Sequence, residues 1–221
     1  KSIMMGKKLE SNFINMVVVL FAVTLIASAA VGYVYSLTAE PINQAKQAKQ
    51  VNAIRQVIPG EFDNNPSMDA WKIATDSKLD YPYLYKEKKP DSLVVYPAKK
   101  NGELIGTAVK TLSNDGFGGQ VWLMVGFNKD GSIYNYSVLE HKETPGLGSK
   151  MDIWFTKEGK GSIIGKIPGT TGLKVTKDGG DVDAITAATI SSRAFLDAVN
   201  RAAAAISNNT TPVADTTQQN Q

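Results

Sequence analysis

Ser92-Leu93-Val94-Val95-Tyr96-Pro97-Ala98-Lys99-Lys100-Asn101-Gly102-Glu103-Leu104-Ile105-Gly106-Thr107-Ala108-Val109-Lys110-Thr111 holds two runs suited to extended chain around a single Asn-Gly pair. A tight two-residue hairpin turn needs positive φ at both central positions, and Asn-Gly meets that need at the least steric cost. The stretch predicts a strand over Ser92 to Ala98, a turn at Asn101-Gly102 and an antiparallel partner over Glu103 to Thr111. Toward the C-terminus, Ser113 to Gly119 reads as a glycine-dense loop, Val121 to Phe127 as a strand, Lys129-Asp130-Gly131 as its turn and Ser132 to Glu140 as another strand. His141 to Gly148 reads as a loop, residues 151–169 as a short helix with turns, Leu173 to Thr176 as a short strand, and Val182 as the entry to a further strand or turn. From Ser191 to Ile206 the period is helical, with Phe195, Leu196, Val199, Ala202, Ala203 and Ile206 on one face. Hairpins flanked by helices make an α+β pattern.

Toward the N-terminus, residues 61–90 read as irregular, broken by Pro66, Pro82 and Pro90, with Lys86 to Lys89 as a solvated face. Pro41 to Ile58 reads as a helix with Pro41 in its first turn, Val51, Ile54, Val57 and Ile58 on a stripe, and Pro59-Gly60 as its stop. No charge occurs between Glu10 and Glu40, and the gap contains the apolar run Met16 to Leu37. A helix of that length reaches ~33 Å, enough for a hydrocarbon core of ~30 Å. Tyr33 and Tyr35 stand near its C-terminal end, where an interfacial belt belongs. Ala27-Ser28-Ala29 also suits a signal-peptide cleavage site, although such peptides have a shorter apolar region of ~7–15 residues. Thr24, Ser28 and Gly32 share a face, as tolerated small residues or as a packing stripe. Lys1, Lys7 and Lys8 precede the span, so the positive-inside rule puts the N-terminus in the cytoplasm and the rest outside. The expected organisation is a cytoplasmic start at 1–15, a transmembrane helix at 16–37, a connection at 38–90, a domain at 91–207 and a disordered tail at 208–221.

Composition narrows the function. The chain has 221 residues, of which 43% are apolar and 20% charged, which argues against wholesale disorder. The lack of cysteine excludes disulfides, thiolate metal sites and a cysteine nucleophile, and the single histidine, His141, excludes a multi-histidine site within one chain; no metal centre is expected. Beyond residue 39 there are 21 basic and 20 acidic residues, so no nucleic-acid surface is expected.

The segment Asp183-Ala184-Ile185-Thr186-Ala187-Ala188-Thr189-Ile190-Ser191-Ser192-Arg193 places small and hydroxyl residues at the start of the last helix. Ser191 or Ser192 suits an N-cap. Free N–H groups at a helix start favour an anion, so a phosphate near Thr189 would be stabilised, and Ala187 and Ala188 would let a bulky ligand approach the backbone. From the residues alone, a capped helix start and a phosphate site both remain open.

This segment resembles the flavinylation motif Asp-x-x-Ser/Thr-Gly-Ala-Thr of the FMN-binding domain family. Asp183 opens the motif, Thr186 is its Ser/Thr, Ala188 its Ala and Thr189 its last Thr; Ala187 stands where the family has Gly. His141-Lys142-Glu143-Thr144-Pro145-Gly146-Leu147-Gly148 resembles the family's His-x-Glu-Thr-Pro-Gly-Leu-Gly loop, and Gly116-Phe117-Gly118-Gly119 its Gly-aromatic-x-Gly. The resemblance covers residues 90–206. It implies FMN joined through its phosphate to Thr189 as a phosphodiester, installed from FAD by a flavin transferase outside the cytoplasm. It also implies cofactor contacts from Asp183, Thr186, Ala187, Ala188 and Ser191 at the phosphate end, and from Glu143, Thr144, Gly146, Leu147 and Gly148 at the ring. The alanine at 187 is a mild replacement unless that position needs positive φ.

With one membrane helix and one exported domain, the layout is similar to the G-subunit family of Rnf electron-transport complexes. These pass electrons between ferredoxin and NAD and move Na+ or H+ across the bacterial cytoplasmic membrane. The C-subunit family of the sodium-pumping NADH:quinone reductase is the alternative. The resemblance implies an electron-transfer subunit with no independent catalysis, partnered by other membrane subunits. An anchored flavin-free binding or signalling domain and a membrane-tethered electron donor to another reductase are the competing classes. His141, Glu143 and Asp183 each also read as ordinary loop residues, and Trp122 and Trp154 as core or interface.

Overall fold

Alternation along the hairpin residues builds a sheet with two apolar faces. The computed structural model describes residues 12–74, 92–169 and 171–207. Its five strands are β1 (Trp71–Ala74), β2 (Ser92–Lys100), β3 (Glu103–Gly116), β4 (Gly119–Asn128) and β5 (Ile133–Glu140), antiparallel and in sequence order. Asn101 (φ 53) and Gly102 (φ 80) make the expected turn, with Lys100 paired to Glu103. Leu93, Val95, Val109, Val121, Leu123, Val125 and Phe127 face one side, where they meet Ala194, Phe195, Ala198, Val199 and Ala202 of α3 (Thr189–Ser207). Phe195 stacks on Phe155 at 4.2 Å between ring centroids and takes the edge of Tyr136 at 4.9 Å. The opposite face carries Tyr96, Ala98, Ala108 and Met124, covered by Ala53, Ile54, Val57 and Ile58. One residue of register slip would exchange these two sets.

The chain divides into two compact units, Lys1–Ala48 and Lys49–Gln221. In the first, α1 (Phe13–Val57) supplies the apolar segment, a helix long and apolar enough to cross a membrane with its apolar side chains exposed. Its hydroxyls turn back on their own helix: Thr24 Oγ1 donates to Leu20 O at 3.0 Å and Thr38 Oγ1 to Val34 O at 2.9 Å. That internal pairing is what a hydrocarbon environment demands. The apolar run and the expected second helix form one helix, so Pro41 lies inside α1 rather than in a first turn. Its last turns belong to the second unit, because the stripe at 53–58 is what covers the second face of the sheet.

Three further expectations are corrected. Trp71–Ala74, expected as irregular, is an edge strand, held by pairing with Ser92 to Val95 rather than by its own pattern. The glycine-dense loop continues β3 and β4, whose hairpin closes at Phe117-Gly118 with Gly116 paired to Gly119. No strand forms over Leu173 to Thr176; the Asn200 side chain takes the place of a strand partner, accepting from Leu173 N at 2.7 Å and donating to Leu173 O at 2.9 Å. A single parallel bridge between Val175 and Val182 and a 3-10 turn at Thr176–Asp178 follow. The breakers Pro82 and Pro90, the run Lys86 to Lys89 and the tail from Asn208 lie outside the described residues.

Candidate functional site

Helix α3 begins at Thr189, two residues earlier than the pattern predicts. Ser191 and Ser192 are therefore not N-caps. Both are buried, and both hydroxyls have partners other than the free N–H groups of the helix start. Ser192 Oγ accepts from Ile185 N at 2.9 Å and donates to Ala188 O at 3.0 Å, closing residues 185–192 into a tight turn. Ser191 Oγ donates to Glu143 Oε2 at 2.5 Å. The N–H groups of residues 189–191, in the first turn, have no acceptor within the helix by its geometry. Ala187, just before that turn, sits at φ 60. The position does require positive φ, so the Gly-to-Ala departure carries backbone strain.

Glu143 ties the pieces together. Only 5% exposed, it accepts from Gly118 N at 3.0 Å through Oε1 and from Ser191 through Oε2. One carboxylate thus links the β3–β4 hairpin tip, the 141–148 loop and the start of α3. Its own N–H donates to His141 Nδ1 at 3.1 Å. That hydrogen bond requires Nδ1 unprotonated and gives His141 a local structural task. Thr144-Pro145-Gly146-Leu147 forms a turn closed by Leu147 N to Thr144 O at 3.1 Å, with Gly146 at φ 76, the geometry that favours Pro then Gly at the central positions. Gly148 is needed for approach: a Cβ there would come within 2.6 Å of Glu143 Oε2 and closer still to Ser191 Oγ.

The result is a cavity of about 320 Å³ lined by Phe117, Glu143, Thr144, Leu147, Gly148, Ala187, Ala188, Thr189, Ile190 and Ser191. All three sequence motifs contribute to it. Asp183, Thr186 and Gly146 do not line it. Asp183 and Thr186 are exposed, and the Asp183 carbonyl accepts from Trp154 Nε1 at 2.9 Å. Phe117 and Ile190, 70% and 50% exposed, form an apolar rim with Leu147. The sequence singles out neither as a contact, although both lie within the motif segments. Lys177 carries no sequence signal, yet its Nζ donates to Thr189 Oγ1 at 3.3 Å. A larger groove of about 510 Å³ beside β5 is lined by Lys49, Gln56, Glu140, His141 and Asp152 among others. It takes only His141 from the motifs, and its charged walls suit an apolar ring less well.

The cavity fits the flavin mononucleotide that the motifs imply. Apolar side chains line a slot for a ring, and the first turn of α3, whose N–H groups lack acceptors within the helix, borders it at Thr189 and suits a phosphate. The model for the FMN-binding domain matches residues 116–204. Over 80% of this chain and 82% of the other, the sequence is 34% identical to the G subunit of the ion-translocating oxidoreductase complex of Vibrio cholerae O395. The protein of that name from Aliivibrio fischeri ES114 is 35% identical over 85% of this chain and 86% of its own length. The G subunit of the Na(+)-translocating ferredoxin:NAD(+) oxidoreductase complex of Acetobacterium woodii is 32% identical over 82% and 86%. With the motif segments gathered at one cavity and relatives of this similarity matching along most of the chain, the protein belongs to the FMN-binding domain family, among the G subunits of ion-translocating oxidoreductase complexes.

Proposed function

We propose that this chain is the electron-transfer subunit of a membrane-bound, Rnf-type ion-translocating ferredoxin:NAD oxidoreductase and that it carries FMN covalently on Thr189. One observation carries the reading: three segments distant in sequence converge on one cavity whose edge holds Thr189 at the first residue of α3. The relatives described above favour a G subunit over the C-subunit alternative, and the exposed apolar helix supports a membrane anchor. The basic residues before that helix favour a cytoplasmic N-terminus and an extracytoplasmic, periplasmic domain.

When bound, FMN supplies redox chemistry that no side chain of this protein offers. The protein's part is to hold and orient it. Thr189 offers the acceptor hydroxyl: a Thr189 Oγ–phosphorus bond forms, the phosphoanhydride bond of FAD breaks, AMP leaves and the hydroxyl proton is released. A flavin transferase supplies that step. Phe117, Leu147 and Ile190 line the slot and would cover the apolar ring, and Thr144 would offer a hydroxyl to its polar atoms. Glu143, with both oxygens committed to protein donors, acts as a brace. Asp183 and Thr186, exposed beside the acceptor turn, offer the transferase its recognition surface.

Intact mass after coexpression with a flavin transferase tests the reading. The wild type should gain about 438 Da, the mass of FMN less water, through a modified side chain. Thr189→Val should gain nothing. An adduct retained by Thr189→Val would refute the attachment site. A wild type without flavin, beside a control protein that the same transferase modifies, would favour the flavin-free binding domain.

A further inference from the structure

The 3-10 turn Thr176–Asp178 ends at Gly179, φ 79, and directs Lys177 toward the start of α3. Lys177 Nζ lies 3.3 Å from Thr189 Oγ1. An ammonium can only donate, so it occupies a lone pair of that oxygen. Two neighbouring cations are committed elsewhere. Arg193 grips Asp178 at two points, Nε to Oδ2 at 2.8 Å and Nη2 to Oδ1 at 2.7 Å. Lys166 pairs with Asp181. The Arg193 hydrogen bond holds the Asp178 carboxyl below its ordinary range, with further attraction from Arg193, Lys174 and Lys177. Lys177 is thus one of three cations near Asp178 and the one whose ammonium contacts the Thr189 hydroxyl.

We propose that Lys177 is a positioning residue for the phosphoryl end of the flavin: it holds the anionic phosphorus centre against Thr189 while the diester forms and neutralises the diester afterwards. This rests on Thr189 being the acceptor. The bond that forms is Thr189 Oγ–P, the bond that breaks is the P–O link to AMP in FAD, and the Thr189 proton is released; Lys177 keeps its own protons throughout. The N–H groups of residues 189–191 share the task. Unlike them, Lys177 contributes a full charge that can be removed by substitution.

The test measures initial rates of flavin incorporation into the full-length chain in detergent, with FAD and a flavin transferase, for wild type, Lys177→Met and Lys177→Arg. Loss of one charge-assisted contact at a partly screened site should slow Lys177→Met about tenfold. Lys177→Arg should stay within about threefold of wild type, since the charge and donors remain. The wild-type rate should fall with added salt more steeply than that of Lys177→Met. Thermal midpoints of the unmodified proteins should coincide, which a merely structural role would not produce. A Met variant as fast as wild type, or an Arg variant as slow as Met, would overturn the role of Lys177. A wild type that takes up no flavin would instead overturn the reading of Thr189.

Discussion

Ala187→Gly should stabilise the protein, although it removes a methyl group. Ala187 sits at φ 60, where the Cβ of an L-residue crowds the backbone at a cost of ~1–2 kcal/mol. Glycine escapes that crowding but loses more freedom on folding, which returns ~0.5–1 kcal/mol. The side chain is exposed, so little burial is lost. The net gain is ~0.5–1 kcal/mol, or roughly 1–4 °C in Tm for a unit of this size. Thermal unfolding of the full chain in detergent, with urea midpoints at unchanged m-value, measures it. Ala187→Val is the opposing control: a β-branched residue at positive φ is a true outlier and should cost more than alanine does. A glycine variant that is less stable than wild type, or a valine variant equal to it, would refute the assignment of strain to this turn.

Glu143 and Asp197 offer two further tests. Glu143→Ala strands the Gly118 N–H and the Ser191 hydroxyl and should cost roughly 3–5 kcal/mol, whereas Glu143→Gln keeps an acceptor for one and a donor for the other and should cost about 1 kcal/mol. Equal losses in urea midpoint from the two variants would remove Glu143 as the brace of the cavity. Asp197 is 1% exposed, and burial pushes its carboxyl up from 3.8 to about 7 against the pull of Arg201. A raised folded-state pKa means the native state binds the extra proton between those values. The stability it contributes is present near pH 4 and is lost as pH rises through 7. The ceiling is on the order of 4 kcal/mol. Asp197→Asn should flatten that slope, and parallel stability profiles for wild type and variant between pH 4 and 8 would rule the titration out.

Local chemistry makes most of the sheet legible. Asn101-Gly102 and the β-branched runs predict β2 and β3, because a hairpin's turn and its strands are neighbours in sequence. β1 is invisible, since four residues show no period and their order comes from β2. The same limit applies to Ser191 and Ser192. As hydroxyl residues before an apolar run they read as caps, but Glu143, 48 positions away, and Ile185 claim them from outside the helix. Leu173 reads as strand for want of any hint that Asn200 would bracket its backbone. Lys177 leaves no trace in sequence because its contact with Thr189 depends on how the 3-10 turn and α3 meet.

The sequence by itself determined the apolar anchor, the α+β class and the three motifs that place the chain in its family, for each depends on residues close along the chain. Only the tertiary structure decided that those motifs share one cavity, that Glu143 is a buried brace rather than a free carboxylate, and that Ala187 is held at positive φ. The physical reason is that burial, hydrogen-bond partners and a residue's φ are set by atoms brought near in space, and a linear pattern records only neighbours along the chain.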